Sequence, residues 1–164
     1  MRTLTTVMLA LLTAISVTAL TGCAGDTYHQ KFGVARAIPV PDQDPIVGAW
    51  EGTWTDASGH TGKLKAIVTP LEGDTYQADF YATFFNDWFE HLSTAEFKGK
   101  RIGNKLVFSG QKDLGKLAGG VYHFEGYITP AYFNVDYRTG CCASEGGGTY
   151  ELRRPEGVVP FAMR

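Results

Sequence analysis

From Ile46 onward, apolar and polar residues alternate in short runs separated by turn-forming clusters, and no stretch carries a sustained helical period. Alternation places every second side chain on one face of a strand. Eight such runs are spaced at near-regular intervals: 46–55, 63–69, 75–85, 91–100, 105–111, 120–129, 131–138 and 149–154. Between them lie DASGHTG, PLEGD, NDWFE, RIGN, KDLGKLAG, Pro130 and TGCCASEGGG. This spacing predicts an all-β domain over 46–164, a single antiparallel, roughly eight-stranded up-and-down barrel. Closure removes the open edges that an eight-stranded meander would otherwise expose.

The alternation also sorts the two faces. Trp50, Gly52 and Trp54, then Leu64, Ala66 and Val68, point one way, while Glu51, Lys63 and Lys65 point the other. The later runs repeat the division, with Tyr76, Phe80, Phe97, Phe108, Phe124 and Val135 on the apolar side. An aromatic–x–glycine echo recurs at Trp50–Gly52, Phe97–Gly99, Phe108–Gly110 and Phe124–Gly126. A residue and its second neighbour share a face, so each ring lies beside a bare stretch of backbone. Glycine permits the bend that a small barrel needs, and the aromatic covers the gap. Trp50, Trp54, Phe80, Phe97, Phe108 and Phe124 are therefore the candidate interior or ligand-facing residues.

Ahead of the domain the texture differs. Met-Arg is followed by an apolar stretch, Thr3–Leu20, which has the order of a secretory leader over 1–22. It ends in Leu20-Thr21-Gly22-Cys23, which resembles the lipobox of bacterial lipoproteins. That resemblance implies cleavage before Cys23, attachment of acyl chains (palmitate among them) to that residue, and a lipid-anchored protein of the cell envelope. Several acyl chains give a stable anchor where one would be marginal. Ala24, rather than Asp, follows the cysteine, which by the same resemblance favours the outer membrane. Residues 23–45 then read as a lipidated, extended tether ending in Pro39, Pro41 and Pro45, with its first part, DTYHQKFGVARA (26–37), either free or packed on the domain.

Of the three cysteines, Cys141 and Cys142 are adjacent. They form a strained vicinal disulfide, remain two thiols, or pair between chains. The net charge of −2 and the absence of a basic stripe exclude a nucleic-acid partner. Of the histidines at 29, 60, 91 and 123, His123 shares a face with Glu125, a spacing that could offer two metal ligands, but on the charged, solvated side. No H-x-x-x-H spacing, nucleophile elbow or phosphate loop is present, so no catalytic site, metal or cofactor is assigned. His91 falls on the inward face near a rim. An enzyme reading would need it within about 3 Å of a carboxylate such as Asp87 or Glu90. The cluster Phe84, Phe85, Trp88 and Phe89 reads first as a plug of one barrel end, with an exposed contact patch as the alternative.

Gly48-Ala49-Trp50 resembles the Gly-x-Trp start of lipocalins and the wider calycin group, and Val135-Asp136-Tyr137 is similar to their Thr-Asp-Tyr motif. The resemblance implies a tryptophan closing one barrel end against a late arginine, Arg153 or Arg154. It departs in placing Asp-Tyr within a strand, with one strand after it. Two functions follow as expectations. One is an anchored barrel binding a small apolar or amphipathic ligand. The other is a filled barrel acting on an envelope protein, or inhibiting an enzyme, through loops 86–91 and 139–148.

Overall fold

In the computed structural model, residues 24–41, 44–113, 120–139 and 146–157 are described. Eight strands form one closed barrel in sequence order: β1 (Gly48–Asp56), β2 (Thr61–Pro70), β3 (Thr75–Phe84), β4 (Phe89–Ile102), β5 (Lys105–Asp113), β6 (Val121–Ile128), β7 (Tyr132–Thr139) and β8 (Gly146–Arg153). Every neighbouring pair is antiparallel, and β8 closes on β1 from Glu51↔Arg153 to Asp56↔Gly148. The eight predicted runs are the eight strands. Cys23, Cys141 and Cys142 lie outside the described residues, as do the leader and most of loop 139–148.

Binary alternation becomes an apolar interior and a charged wall. Trp50, Leu64, Ala66, Val68, Ala78, Phe97, Leu106, Phe108, Ile128, Phe133 and Leu152 form one core. The intervening positions, among them Lys63, Glu96, Lys98, Glu125 and Glu151, are exposed.

The end of the barrel where the chain enters (the lower end) is closed tightly. Trp50 is fully buried, and its Nε1 donates to the Ile46 carbonyl at 3.0 Å. The Arg154 guanidinium lies 3.7 Å from the Trp50 ring and donates to the carbonyls of Ala49 (3.0 Å), Pro130 (3.4 Å) and Pro45. Burial pulls its pKa down to about 10, so it is still cationic at neutral pH. Of the two candidate arginines, Arg154 caps the tryptophan, while Arg153 sits outside over Tyr132. Asp44 straps the entering chain to the same end through Arg101 (2.7 Å) and Tyr76 (3.0 Å).

The segment before the barrel is not an extended tether. Residues 24–37 form a helix, α1, that lies against the outside of the wall. Tyr28 and Phe32, one helical turn apart, are 5% exposed and form a second apolar cluster with Ala49 and Tyr81. Tyr28 stacks on Tyr81 at 5.4 Å, and its hydroxyl donates to the Asp79 carbonyl at 3.2 Å. The prolines act only after the helix, which ends before Pro39. Phe32→Ala is expected to remove about 3 kcal/mol of docking energy. Hydrogen exchange of amides 24–37 should then accelerate roughly 100-fold while the barrel strands keep their protection. Unchanged exchange would show that α1 is held by something other than this contact.

Candidate functional site

Strand register opens the wall in one place. β4 is fourteen residues long. It pairs with β3 from Phe89 to Lys98, but with β5 only through Lys98–Ile102 against Lys105–Ser109. Toward the upper end β4 follows β3, while β5 follows β6 up to Asp113↔Val121. Ser93, Thr94 and Ala95 thus face the upper half of β5 across a divergence of the two strands.

A cavity of about 60 Å³ lies behind this divergence. That exceeds the ~10–15 Å³ needed to hold one water. Its walls are apolar: Phe80, Phe97, Phe108, Phe124, Phe133 and Val135, with Tyr122, Tyr137 and Tyr150 on the β6–β8 side. Ser93 and Lys112 supply polar side chains along the divergence, while the Thr94 hydroxyl is on the outer wall, donating to Asp79 Oδ1 at 2.7 Å. Four of the six candidate interior residues, Phe80, Phe97, Phe108 and Phe124, line this space. Trp50 and Trp54 do not. Trp50 belongs to the sealed lower end. Trp54 packs on Phe84 at 4.7 Å, with its Nε1 donating to the Thr83 carbonyl at 2.8 Å.

The three tyrosines form a ladder across β6, β7 and β8. Tyr122 and Tyr137 stack at 5.8 Å, and Tyr137 meets Tyr150 at 4.9 Å. Space for the Tyr137 ring comes from Gly148, where a Cβ would lie 2.7 Å from the Tyr137 hydroxyl. Burial, reinforced by Tyr122 and Asp56, pushes the Tyr137 pKa up to about 12, and burial raises Tyr122 and Tyr150 as well. All three therefore carry neutral hydroxyls at physiological pH. Lys112 continues the inward series Leu106, Phe108, Gly110 and pairs with Tyr122 in the uppermost part of β5. It ends in solvent, so its ammonium marks the outer edge of an otherwise apolar site. Sequence reasoning missed Lys112 because a charge at a strand end reads as a solvated terminus, although the period-two alternation does point it inward.

The histidines do not assemble a second site. His29 belongs to α1 and meets Tyr81 edge-on at 4.6 Å. His60 contacts Asp56 at 3.0 Å, and His123 is exposed on the outer wall. His91 faces inward opposite Ala82, with Nε2 buried and unpartnered among the described residues. Asp87 is held by Lys63, and Glu90 accepts from Tyr81. Among the described residues no group of three or more His, Cys, Asp or Glu could hold a metal.

The aromatic turn is not a plug. Phe84 turns inward onto Trp54, and Phe89, its partner across β3 and β4, meets the Phe84 ring at 6.3 Å at the mouth. Phe85, Trp88 and Phe89 are 81%, 91% and 58% exposed. Phe85, Asn86 and Asp87 all have positive φ (52°, 59° and 69°), so the exposed tip is built on three consecutive left-handed residues.

No protein-family model and no curated protein sequence matches the chain. Among solved structures, EF1p2_mFAP2b bound to DFHBI is 18% identical, with a TM-score of 0.51 over 69% of this chain and 96% of that one. A redesigned β-barrel is 20% identical over 68% of this chain and 93% of its own, with a TM-score of 0.48. Another redesigned barrel, mFAP1 bound to DFHBI, is 19% identical over 67% and 95%, with a TM-score of 0.47. Strand pairing and structural likeness agree on the architecture: the chain folds as a closed, antiparallel, eight-stranded up-and-down β-barrel.

Proposed function

We propose that this protein is a lipid-anchored envelope protein whose barrel binds one small amphipathic ligand, its apolar part between the phenylalanines and tyrosines and an anionic end beside Lys112. The observation that carries the reading is the cavity of about 60 Å³ behind the β4–β5 divergence. It is apolar within and cationic at its edge, which matches in polarity a ligand with a short hydrophobic body and a carboxylate or similar head. At this volume the ligand's body enters by displacing wall side chains such as the half-buried Phe124 or lies partly in the β4–β5 divergence. The fold is compatible with such a role, since EF1p2_mFAP2b, a structural neighbour, binds DFHBI. Anchoring is supported by the apolar leader and Leu20-Thr21-Gly22-Cys23. In this reading Cys23 carries the acyl chains, and the anchor is the outer membrane.

Octanoate, titrated by calorimetry into the mature protein in detergent, tests the pocket. Binding is expected for the wild type and should be abolished in Ala95→Phe, which fills the cavity. Lys112→Ala should weaken binding about two- to fivefold, because an exposed ion pair contributes roughly 0.5–1 kcal/mol. Equal binding by the wild type and Ala95→Phe would place the ligand elsewhere. Native mass spectrometry of gently extracted protein, showing a bound mass lost on denaturation, would then identify the natural ligand class.

A further inference from the structure

We propose that the β3–β4 hairpin tip, Phe85, Trp88 and Phe89, inserts into the interfacial layer of a lipid bilayer and seats the upper end of the barrel on the membrane. The inference builds on the lipid anchor at Cys23 and is tested apart from it.

Position carries the argument first. α1 begins at the hairpin: a Cβ on Gly25 would lie 3.1 Å from the Glu90 carboxylate, and Ala24 shares a surface groove with Leu92. Ala24 is bonded directly to Cys23, and consecutive Cα atoms are about 3.8 Å apart. An anchor at Cys23 therefore has almost no slack. It holds the start of β4, at Glu90 and Leu92, close to the headgroups, on the same end of the barrel as the hairpin tip.

Chemistry agrees with position. Tryptophan and phenylalanine are the side chains that partition into the membrane interface. Here Phe85 and Trp88 are exposed at the hairpin tip, with Phe89 exposed at the start of β4 and Leu92 partly exposed on the wall beside it. The carboxylates nearby are drawn away from the tip, Asp87 onto Lys63 and Glu90 onto Tyr81. Among the described residues Trp88 and Phe85 are the most exposed large apolar side chains, and below them the wall carries charge outward, at Lys63 near the mouth and at Glu96 and Lys98 toward the lower end. Asn86 and Asp87 tolerate left-handed backbone, but Phe85 does not readily do so. Its φ of 52° is an unfavourable conformation that keeps the ring outside.

The geometry has a consequence for the ligand site. The upper end also holds Ser93, Thr94 and Lys112, so seating the tip would turn the β4–β5 divergence toward the bilayer surface.

The test uses the natural tryptophans. Trp50 and Trp54 are buried, leaving Trp88 as the exposed one of the three. The mature protein is reconstituted into phosphatidylethanolamine–phosphatidylglycerol vesicles containing lipids brominated at defined depths. Its acylation is read by mass. The expected result is a blue shift and at least twofold quenching of the Trp88 emission by bromines near the glycerol level. The quenched component should be absent in Trp88→Phe and reduced in the Phe85→Ser, Phe89→Ser double variant. An acylated protein whose Trp88 stays open to aqueous iodide overturns the insertion and leaves the anchor standing. Quenching in a protein without acyl chains supports insertion and removes the anchor. Shielding from iodide without bromine quenching means that protein, a second copy or a partner, covers the tip, and the proposal fails. Absence of both acyl chains and vesicle association defeats both readings.

Discussion

Arg154→Ala should destabilise the barrel by about 3–5 kcal/mol, one of the largest effects expected of any single substitution. Three carbonyls depend on the guanidinium: Pro45 in the entering chain, Ala49 in β1 and Pro130 between β6 and β7. A buried acceptor left without a donor costs about 1–3 kcal/mol. The Trp50 ring also loses the cation resting on it, a contact contributing up to about 2 kcal/mol when desolvated. These terms overlap, since one relaxation can rehydrate several groups, so the total stays below their sum. Arg154→Lys should recover less than half of the loss, because an ammonium cannot reach three carbonyls while lying flat on an indole. Urea unfolding of the three proteins measures this directly. With an m-value of about 2 kcal/mol/M, the alanine midpoint should fall by roughly 1.5–2.5 M. A shift below 0.5 M, roughly 1 kcal/mol, would show that Trp50 and Ile46 close the lower end without the arginine.

That closure is legible through the resemblance carried by Gly48-Ala49-Trp50, which implies a late arginine and leaves Arg153 and Arg154 open. The strands are legible directly, where the side-chain period of two is imposed by a barrel with one apolar face. The misreadings share a different cause. Tyr28, Phe32 and Ala35 make a narrow helical stripe, interrupted by Gly33 and followed by three prolines. Nothing within 24–37 stabilises that helix strongly. Its apolar face is completed by Tyr81 and Ala49, which belong to other elements. At the aromatic turn hydrophobicity argues first for a plug, but the exposed patch that the sequence also allows is what forms, at a tip of three consecutive left-handed residues. The cavity depends on where β4 changes partner along its length, a matter of register between strands. Such registers are set by the whole barrel at once and leave no mark on any single run.

The aromatic–x–glycine echo separates into two kinds of site, and this yields the second large effect. At Gly52, an added Cβ would lie 2.0 Å from the Glu151 carbonyl oxygen and 2.8 Å from the Leu152 Cα; at Gly126 it would lie 2.2 Å from the Asn134 carbonyl oxygen. Those neighbours are backbone of paired strands, so relief requires the β1–β8 or β6–β7 ladder to separate. At Gly110 the neighbour is the Phe124 ring, 2.6 Å away. That ring is only partly buried and borders the cavity, and Gly110 lies beyond the stretch where β5 pairs with β4. Gly52→Ala should therefore cost at least about 3 kcal/mol, the upper range for overpacking, with Gly126→Ala close behind. Gly110→Ala should cost about 1 kcal/mol, the ring moving into space that the wild type leaves empty. Its signature should be functional: stability nearly retained, octanoate binding reduced as Phe124 takes up ligand volume. Equal destabilisation at positions 52 and 110 would mean that the cavity cannot accept the ring. In that event the upper half of the barrel is as tightly packed as the lower, and the ligand reading loses its physical basis. Unequal destabilisation with the predicted loss of binding would join the glycine pattern to the pocket: two glycines let strands cross closely, and a third leaves the Phe124 ring its place at the cavity wall.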